Sequence, residues 1–370
     1  MSGVYVHIPF CKSKCPYCDF YSYRCSDHAK EQYVDALIDE IESLRRVSPY
    51  LPHNGFTADT LYIGGGTPSV LRGEDIEKIV NSAKKKFNIS DGSEITIECN
   101  PASDIEGLIP YFITCGINRV SLGMQSAIDE ERRILGRSAD RERIRRVIEL
   151  LKKNGITNIS LDVMMGIPNQ TEESLKETLQ FVIECEVTHI SAYILKIEEG
   201  TFFDTHRDRY RFPDEDEVCN LYELCVDFLG QAGYEQYEIS NFAKPSYHSR
   251  HNTKYWLLED YLGIGAAAHS LVGGKRFYFP DNSEDFIKGV SPIYDGEGNT
   301  AEEYIMLRLR LKEGLILDEL LSLYGEEVVK PIKEKAPLLA KQGLVNYDEK
   351  TISLTKKGFL LSNAVISQFL

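Results

Sequence analysis

Gly3-Val4-Tyr5-Val6-His7-Ile8-Pro9-Phe10-Cys11-Lys12-Ser13-Lys14-Cys15-Pro16-Tyr17-Cys18 opens the chain as an apolar run that leads straight into a loop carrying three thiols within eight residues. The β-branched and aromatic content of Gly3 to Ile8 predicts a strand. A helix is expected next, because Asp27 offers an N-cap and Val34, Leu37, Ile38, Ile41 and Leu44 recur at helical spacing. The same alternation repeats. Strand 60–63 precedes a helix over 74–87, 94–99 precedes 105–115, 119–122 precedes a helical stretch ending near Asn154, 158–164 precedes 172–184, and 189–195 closes the series. Strands alternating with helices imply a parallel sheet with right-handed crossovers, either doubly wound or curled into part of a barrel.

Polar residues at the carboxyl ends of these strands favour the barrel. Cys11, the Gly64-Gly65-Gly66-Thr67 loop, Glu98 with Asn100, Gln125, Asp162 and Lys196 all stand there. A barrel gathers such ends at one mouth, where barrel enzymes place their chemistry. The expected fold class is therefore α/β, a partial (β/α)6 TIM-like barrel over 1–200. Residues 201–295, with a helix near 214–231 followed by strand-like and Gly-rich pieces, are expected to form an extension that closes the barrel's open side. Turn-forming Asp295-Gly296-Glu297-Gly298 suggests a linker. Over 296–370, helices near 301–311, 317–323 and 326–342, strands at 344–347 and 351–354 and a final helix predict a small, mostly helical, winged-helix-like domain that serves as a dock or lid.

Composition narrows the classes of function. The 370 residues carry a formal net charge of −15 and are 42% apolar, enough for a large core but repulsive to phosphates. Residues 301–370 have equal numbers of basic and acidic side chains, so the footprint of a DNA reader is missing and no nucleic-acid partner is expected. No run approaches the ~20 apolar residues of a transmembrane segment, and no signal peptide is visible. The expected location is the cytoplasm, free or peripheral at the membrane. Nine cysteines are an odd count in such a chain and should be reduced, with Cys25, Cys99, Cys115, Cys185, Cys219 and Cys225 serving as small core residues.

Cys11, Cys15 and Cys18 are different. Three thiolates in one short loop suit an Fe–S cluster or zinc. Structural zinc takes four ligands, for which His7 or Cys25 would have to be recruited. A three-thiol set is better explained by a [4Fe–4S] cluster with one iron left open to a chelating molecule.

The Cys-x-x-x-Cys-x-x-Cys spacing after a first strand resembles the signature of the radical S-adenosylmethionine (SAM) superfamily. Tyr5 to Cys11, Gly64-Gly65-Gly66-Thr67-Pro68 and Gly263-Ile264-Gly265-Ala266 look like its HemN/HemW branch, which holds oxygen-independent coproporphyrinogen III oxidases and heme chaperones. The resemblance spans almost the whole chain. It implies a [4Fe–4S] cluster on Cys11, Cys15 and Cys18 that reductively cleaves SAM to methionine and a 5′-deoxyadenosyl radical. It also implies SAM contacts from Tyr5, Tyr17, Gly65, Gly66, Thr67, Glu98, Gln125, Arg137 and Asp162. The residue types agree: the Gly-rich loop exposes backbone groups without a Cβ in the way, and Glu98 can accept ribose hydroxyls. A tight turn and a solvated rim are the plainer alternatives for the same residues.

Two departures point to the heme-chaperone side of the branch. The oxidase carries a further cysteine two residues after the third, where this chain has Phe20, and a longer segment ahead of the cluster loop, where this chain has ten residues. His251-Asn252-Thr253-Lys254-Tyr255-Trp256 also matches a His-Asn-x-x-Tyr-Trp motif of the chaperones. By that resemblance His251 is the expected axial ligand to heme, on a flat surface made by Tyr255 and Trp256. His248 is the alternative ligand, and a buried His251 among core aromatics is the plainer account of the motif. The implied partners are heme, a heme-accepting protein and a reductant protein such as a flavodoxin or ferredoxin. In the alternative function, an oxidase, the partner is a porphyrinogen. No catalytic residue is assigned.

Overall fold

The computed structural model describes residues 1–53 and 55–370. Six strands, β1 (Ser2–Ile8), β2 (Ala58–Gly65), β3 (Glu94–Cys99), β4 (Arg119–Gln125), β5 (Asn158–Met165) and β6 (His189–Ile194), lie side by side in chain order and run parallel. Each returns through at least one helix, as the alternation predicts. The first helix, Asp27–Ser43, is capped by the Ser26 side chain, one residue before the expected Asp27. The expected single stretch before Asn154 is two helices, Asp129–Ile134 and Arg141–Lys153. Gly136 at φ 70° breaks the run, Asp140 caps the second helix, and Arg137 is left between them.

The strands have two chemically different faces. Leu61, Ile63, Ile95, Ile97, Val120, Leu122, Ile159, Leu161 and Ile190 are buried in one cluster with helix residues such as Leu37, Ile76, Ile79, Phe112, Val147 and Leu175. Burying each such side chain stabilises the fold by roughly 1.5–3 kcal/mol. The alternate positions form a polar interior: Thr60 and Tyr62 on β2, Thr96 and Glu98 on β3, Arg119 and Ser121 on β4, Ser160 and Asp162 on β5, His189 and Ser191 on β6. Most of these groups bond one another, whereas Thr96 Oγ1 and Arg119 Nε and Nη1 have no partner among the described residues. Ser160 Oγ lies 2.7 Å from His189 Nδ1, and His189 Nε2 lies 2.8 Å from the Tyr237 hydroxyl.

Residues after the sixth strand lengthen both edges of the sheet instead of closing the ring. β7 (Glu235–Gln236) and β8 (Asn241–Ala243) add antiparallel strands beside β6. β9 (Tyr261–Ile264) pairs parallel with β1, so the Gly263-Ile264 motif lies against Tyr5 and Val6, and β10 (His269–Val272), β11 (Lys275–Tyr278) and β12 (Ile293–Glu297) continue outward. Among the described residues no pairing joins β12 to β7. The expected linker at 295–298 is also corrected, because Ile293–Glu297 pairs with β11. Helix Arg250–Trp256 lies across the N-terminal ends of the barrel strands. Its Arg250 and His251 amides donate to Glu94 at the start of β3, and Lys254 Nζ donates to the Met1 carbonyl.

The C-terminal region runs helix Ala301–Arg308, β13 (Leu315–Ile316), helices Leu317–Tyr324 and Glu326–Lys341, then β14 (Val345–Tyr347) and β15 (Thr351–Leu354), with sheet order β13-β15-β14. That is the element order of a winged helix. Backbone bonds from Ile239 to Arg310 and from Lys312 to Tyr237, both about 3 Å, tie it to the barrel. Among the described residues no helix is long and apolar enough to cross a membrane.

Candidate cluster and cofactor site

The carboxyl ends of β1 to β6 surround a cavity of about 590 Å³. Cys11, Cys15 and Cys18 line it, together with Tyr17, Gly65, Gly66, Thr67, Glu98, Gln125, Arg137 and Asp162. None of the three thiols is in a disulfide. Their loop is fixed by backbone bonds from Cys11 to the Tyr23 carbonyl (3.0 Å), from Tyr23 to the Pro9 carbonyl (2.9 Å) and from Cys18 to the Cys15 carbonyl (3.1 Å).

The glycine loop is zipped to the cysteine loop. Gly66 and Thr67 amides donate to the Ile8 and Phe10 carbonyls, both at 2.8 Å, and Gly65 N donates to Glu98 Oε2 at 3.1 Å. These amides are spoken for, so the loop acts through shape and not as the free backbone donors expected from its glycines. Gly65 sits at φ 114°, and a Cβ there would lie 2.6 Å from the His7 ring; at Gly66 it would lie 2.8 Å from the Phe10 carbonyl oxygen and 3.1 Å from Cys11 Sγ. The thiol therefore occupies a cradle that exists only because position 66 lacks a side chain.

The donor set fits a [4Fe–4S] cluster better than zinc. Among the described residues no three His, Cys, Asp or Glu side chains converge as they would around a single ion. The fourth ligands that zinc would need are elsewhere: Cys25 is not on the cavity wall, and His7 bonds the Tyr5 hydroxyl through Nδ1 and the Tyr21 carbonyl through Nε2. Three soft thiols on one wall, with oxygen and nitrogen groups on the others, suit a cluster that leaves one iron to a second molecule.

Two half-buried carboxylates face that space. Glu98 accepts from the Tyr62 hydroxyl at 2.7 Å and from Gly65 N, and burial pushes its carboxyl up to about 7 against the pull of the Tyr62 bond. Asp162 accepts from Ser121 Oγ at 3.3 Å, and burial raises it to about 6, opposed by Arg137. Arg137 donates from Nη2 to the Tyr17 hydroxyl at 2.7 Å, while its buried Nε has no partner among the described residues. Gln125 adopts φ 74°, unusual for a residue with a side chain, and its Oε1 accepts from the Tyr193 hydroxyl at 2.5 Å.

The structure does not bring Tyr5 to this cavity; its hydroxyl lies 2.9 Å from His7 Nδ1, beneath the glycine loop. Lys196 is on the rim, paired with Glu198 at 2.7 Å. Tyr62, Ser121, Ser191 and Tyr193 also line the wall, and the motifs do not single them out. Alternation would have found them, since Ser121 is four residues before Gln125 on β4, Tyr62 faces Glu98, and Ser191 pairs with Asp162.

His251, Tyr255 and Trp256 lie on the other side of the molecule from the thiols, in the helix under the barrel. His251 is fully buried, with Nδ1 2.8 Å from Thr60 Oγ1 and Nε2 2.7 Å from the Tyr255 hydroxyl. Neither imidazole nitrogen of the expected axial ligand is free, and Tyr255 is engaged as its partner and not as an open surface. His248 is exposed and stacks on Tyr237 with centroids 4.1 Å apart.

Comparison with known proteins agrees with this geometry. The radical SAM superfamily model matches residues 5–182, and the HemN C-terminal domain model matches 299–361. Heme chaperone HemW of Lactococcus lactis is 31% identical, with 100% of this chain and 97% of the relative covered. The chain is a member of the HemW family of radical SAM proteins. HemW of Bacillus subtilis and of Escherichia coli are also each 31% identical, over 100% of this chain and 99% and 98% of theirs. Among solved structures, coproporphyrinogen III oxidase HemN of Escherichia coli superposes with a TM-score of 0.83 at 26% identity, covering 99% of this chain and 89% of that one. Membership of the superfamily implies a [4Fe–4S] cluster and SAM.

The carboxylates set a pH dependence. Folding raises Glu98 from its ordinary 4.5 to about 7, so the folded state holds this proton more tightly and stability from this group falls as pH rises across that window. If Glu98 takes the ribose hydroxyls of SAM, which donate best to the ionised form, SAM affinity should rise between pH 6 and 8. In Glu98→Gln that rise should disappear, SAM should bind about tenfold more weakly, and the thermal midpoint of the SAM-free protein at pH 8 should increase. Calorimetry and equilibrium dialysis check both halves.

Proposed function

We propose that this chain is a heme chaperone, which binds heme and passes it to an acceptor protein in the cytoplasm. The observation that carries this is the end-to-end match to heme chaperones, with the whole chain and 97–99% of the Lactococcus, Bacillus and Escherichia relatives covered. Phe20 supports it: where the oxidase pattern has a further cysteine, this chain presents an aromatic ring 66% exposed on the cavity rim.

When bound, the cluster and SAM supply a low-potential electron and a cleavable sulfonium. Cys11, Cys15 and Cys18 would hold the cluster, Glu98 would take the ribose hydroxyls, and Arg137, Gln125 and Asp162 would orient the rest of SAM. The other six cysteines are dispersed, so electrons come from a partner protein, for which a flavodoxin or ferredoxin type is proposed. Heme ligation by His251 would break the hydrogen bond at the coordinating nitrogen and expose a fully buried ring, so the heme proposal does not rest on that residue. His248 is the accessible imidazole nearby.

The superposition on HemN favours an oxidase as the second reading. One anaerobic preparation separates the two. It should retain heme on gel filtration and convert no coproporphyrinogen III to protoporphyrinogen IX when given SAM and dithionite. Multiple-turnover decarboxylation without heme retention would establish the oxidase instead.

A further inference from the structure

We infer that His251 is a positioning residue for the SAM cavity: it holds Tyr62, and Tyr62 holds Glu98. The inference rests on Glu98 contacting SAM, as proposed above. The chain of contacts is continuous. The His251 ring is locked at both nitrogens by Thr60 and Tyr255. Thr60 and Tyr62 are alternate residues of β2 and share its inner face. The Tyr62 ring lies against the His251 ring, with centroids 5.2 Å apart and planes 28° from parallel. The Tyr62 hydroxyl donates to Glu98 Oε1 at 2.7 Å.

The helix is also clamped to the strand that carries Glu98. Its Arg250 and His251 amides donate to the two oxygens of Glu94, at 3.0 and 2.9 Å, and Glu94 and Glu98 share one face of β3. The imidazole meets the sheet with no spare room, since a Cβ on Gly3 of β1 would stand 3.0 Å from His251 Cε1. Burial, with Lys254 and Arg119 nearby, holds His251 down at about 3, so a neutral imidazole wedges Tyr62 at every working pH. Without the wedge, Tyr62 can swing into the vacated space, and Glu98 loses a hydrogen bond that favours its ionised form. The groups facing Glu98 are Tyr5 on β1, Tyr62 on β2, Arg119 on β4, Asp162 on β5 and Tyr255 on the helix below. Among the described residues only Tyr62 hydrogen-bonds its carboxylate from a side chain.

The test uses the full chain with its cluster reconstituted anaerobically. SAM affinity is measured from pH 6 to 8 in wild type, His251→Ala, His251→Gln, Tyr62→Phe and Glu98→Gln, with iron content and heme stoichiometry on the same samples. His251→Ala should bind SAM about tenfold more weakly, with its pH midpoint shifted upward and with iron and heme unchanged. His251→Gln, whose amide can still bond Thr60 and Tyr255, should recover most of the affinity. Tyr62→Phe, which keeps the ring and removes one hydroxyl, should reproduce the loss and decides the matter if His251→Ala does not fold. If Glu98→Gln leaves SAM binding unchanged, the assignment of Glu98 to SAM fails. If Glu98→Gln weakens SAM while Tyr62→Phe and a folded His251→Ala do not, the inference alone is overturned. Loss of heme with unchanged SAM affinity in His251→Ala would restore the axial-ligand role.

Discussion

Alanine at any one of Cys11, Cys15 or Cys18 is expected to leave the anaerobically reconstituted chain without its cluster, whereas alanine at Cys25, Cys99 or Cys185 leaves about four irons and four sulfides per chain. The contrast follows from placement. The first three thiols line one cavity at the end of β1, while Cys25 lies off its wall and Cys185 is buried between a helix and the next strand. Cys99 is the informative control, because it touches the cavity without belonging to the cysteine loop. Burial raises its thiol well above the ordinary range, so it is a poor source of thiolate. Iron and sulfide analysis with visible absorption reads the result. Loss of iron in Cys99→Ala would mean a fourth protein ligand and no open iron.

Gly65→Val should abolish SAM binding, and Gly66→Ala should lose the cluster itself. At Gly65 the backbone is in a region closed to β-branched residues, and the new side chain would collide with the His7 ring. Strain of this kind costs about 1–3 kcal/mol before any clash is counted. The loop would have to move, and Glu98 would lose the Gly65 amide. At Gly66 the added methyl meets the Phe10 backbone and Cys11 Sγ, so the thiol is pushed from its cradle. Circular dichroism should show both variants folded, because the apolar layer between strands and helices is untouched. Normal SAM affinity in Gly65→Val would contradict the account of the glycine loop.

The scaffold was legible because its signals are local. Each βα unit announces itself by strand composition, a cap and a helical period, and the thiols sit within one loop. Less legible was the inner face. Parallel strands covered on both sides normally read as unbroken apolar runs. Here Ser121, Asp162 and Ser191 alternate with apolar neighbours because the barrel interior is polar. Tyr62 looked like one more strand aromatic, yet it is the side chain that orients Glu98. For a related reason the burial of His251 is legible only as the plainer of two readings. Its burial depends on Thr60 and Glu94, far away in the chain, and no local pattern reports that a histidine at a polar helix start will be roofed by a sheet. The Asp295-Gly296 pair misled in the opposite direction, since residues typical of turns serve there as an edge strand.

The central claim is that three thiols hold a cluster whose remaining iron is open to SAM in the same cavity. Electron paramagnetic resonance of the reduced, reconstituted wild-type chain, recorded with and without SAM, tests it most directly. The account predicts a spectrum that shifts on adding SAM, because amino and carboxylate groups take the open iron. An identical spectrum at saturating SAM, from a chain containing about four irons, would contradict it.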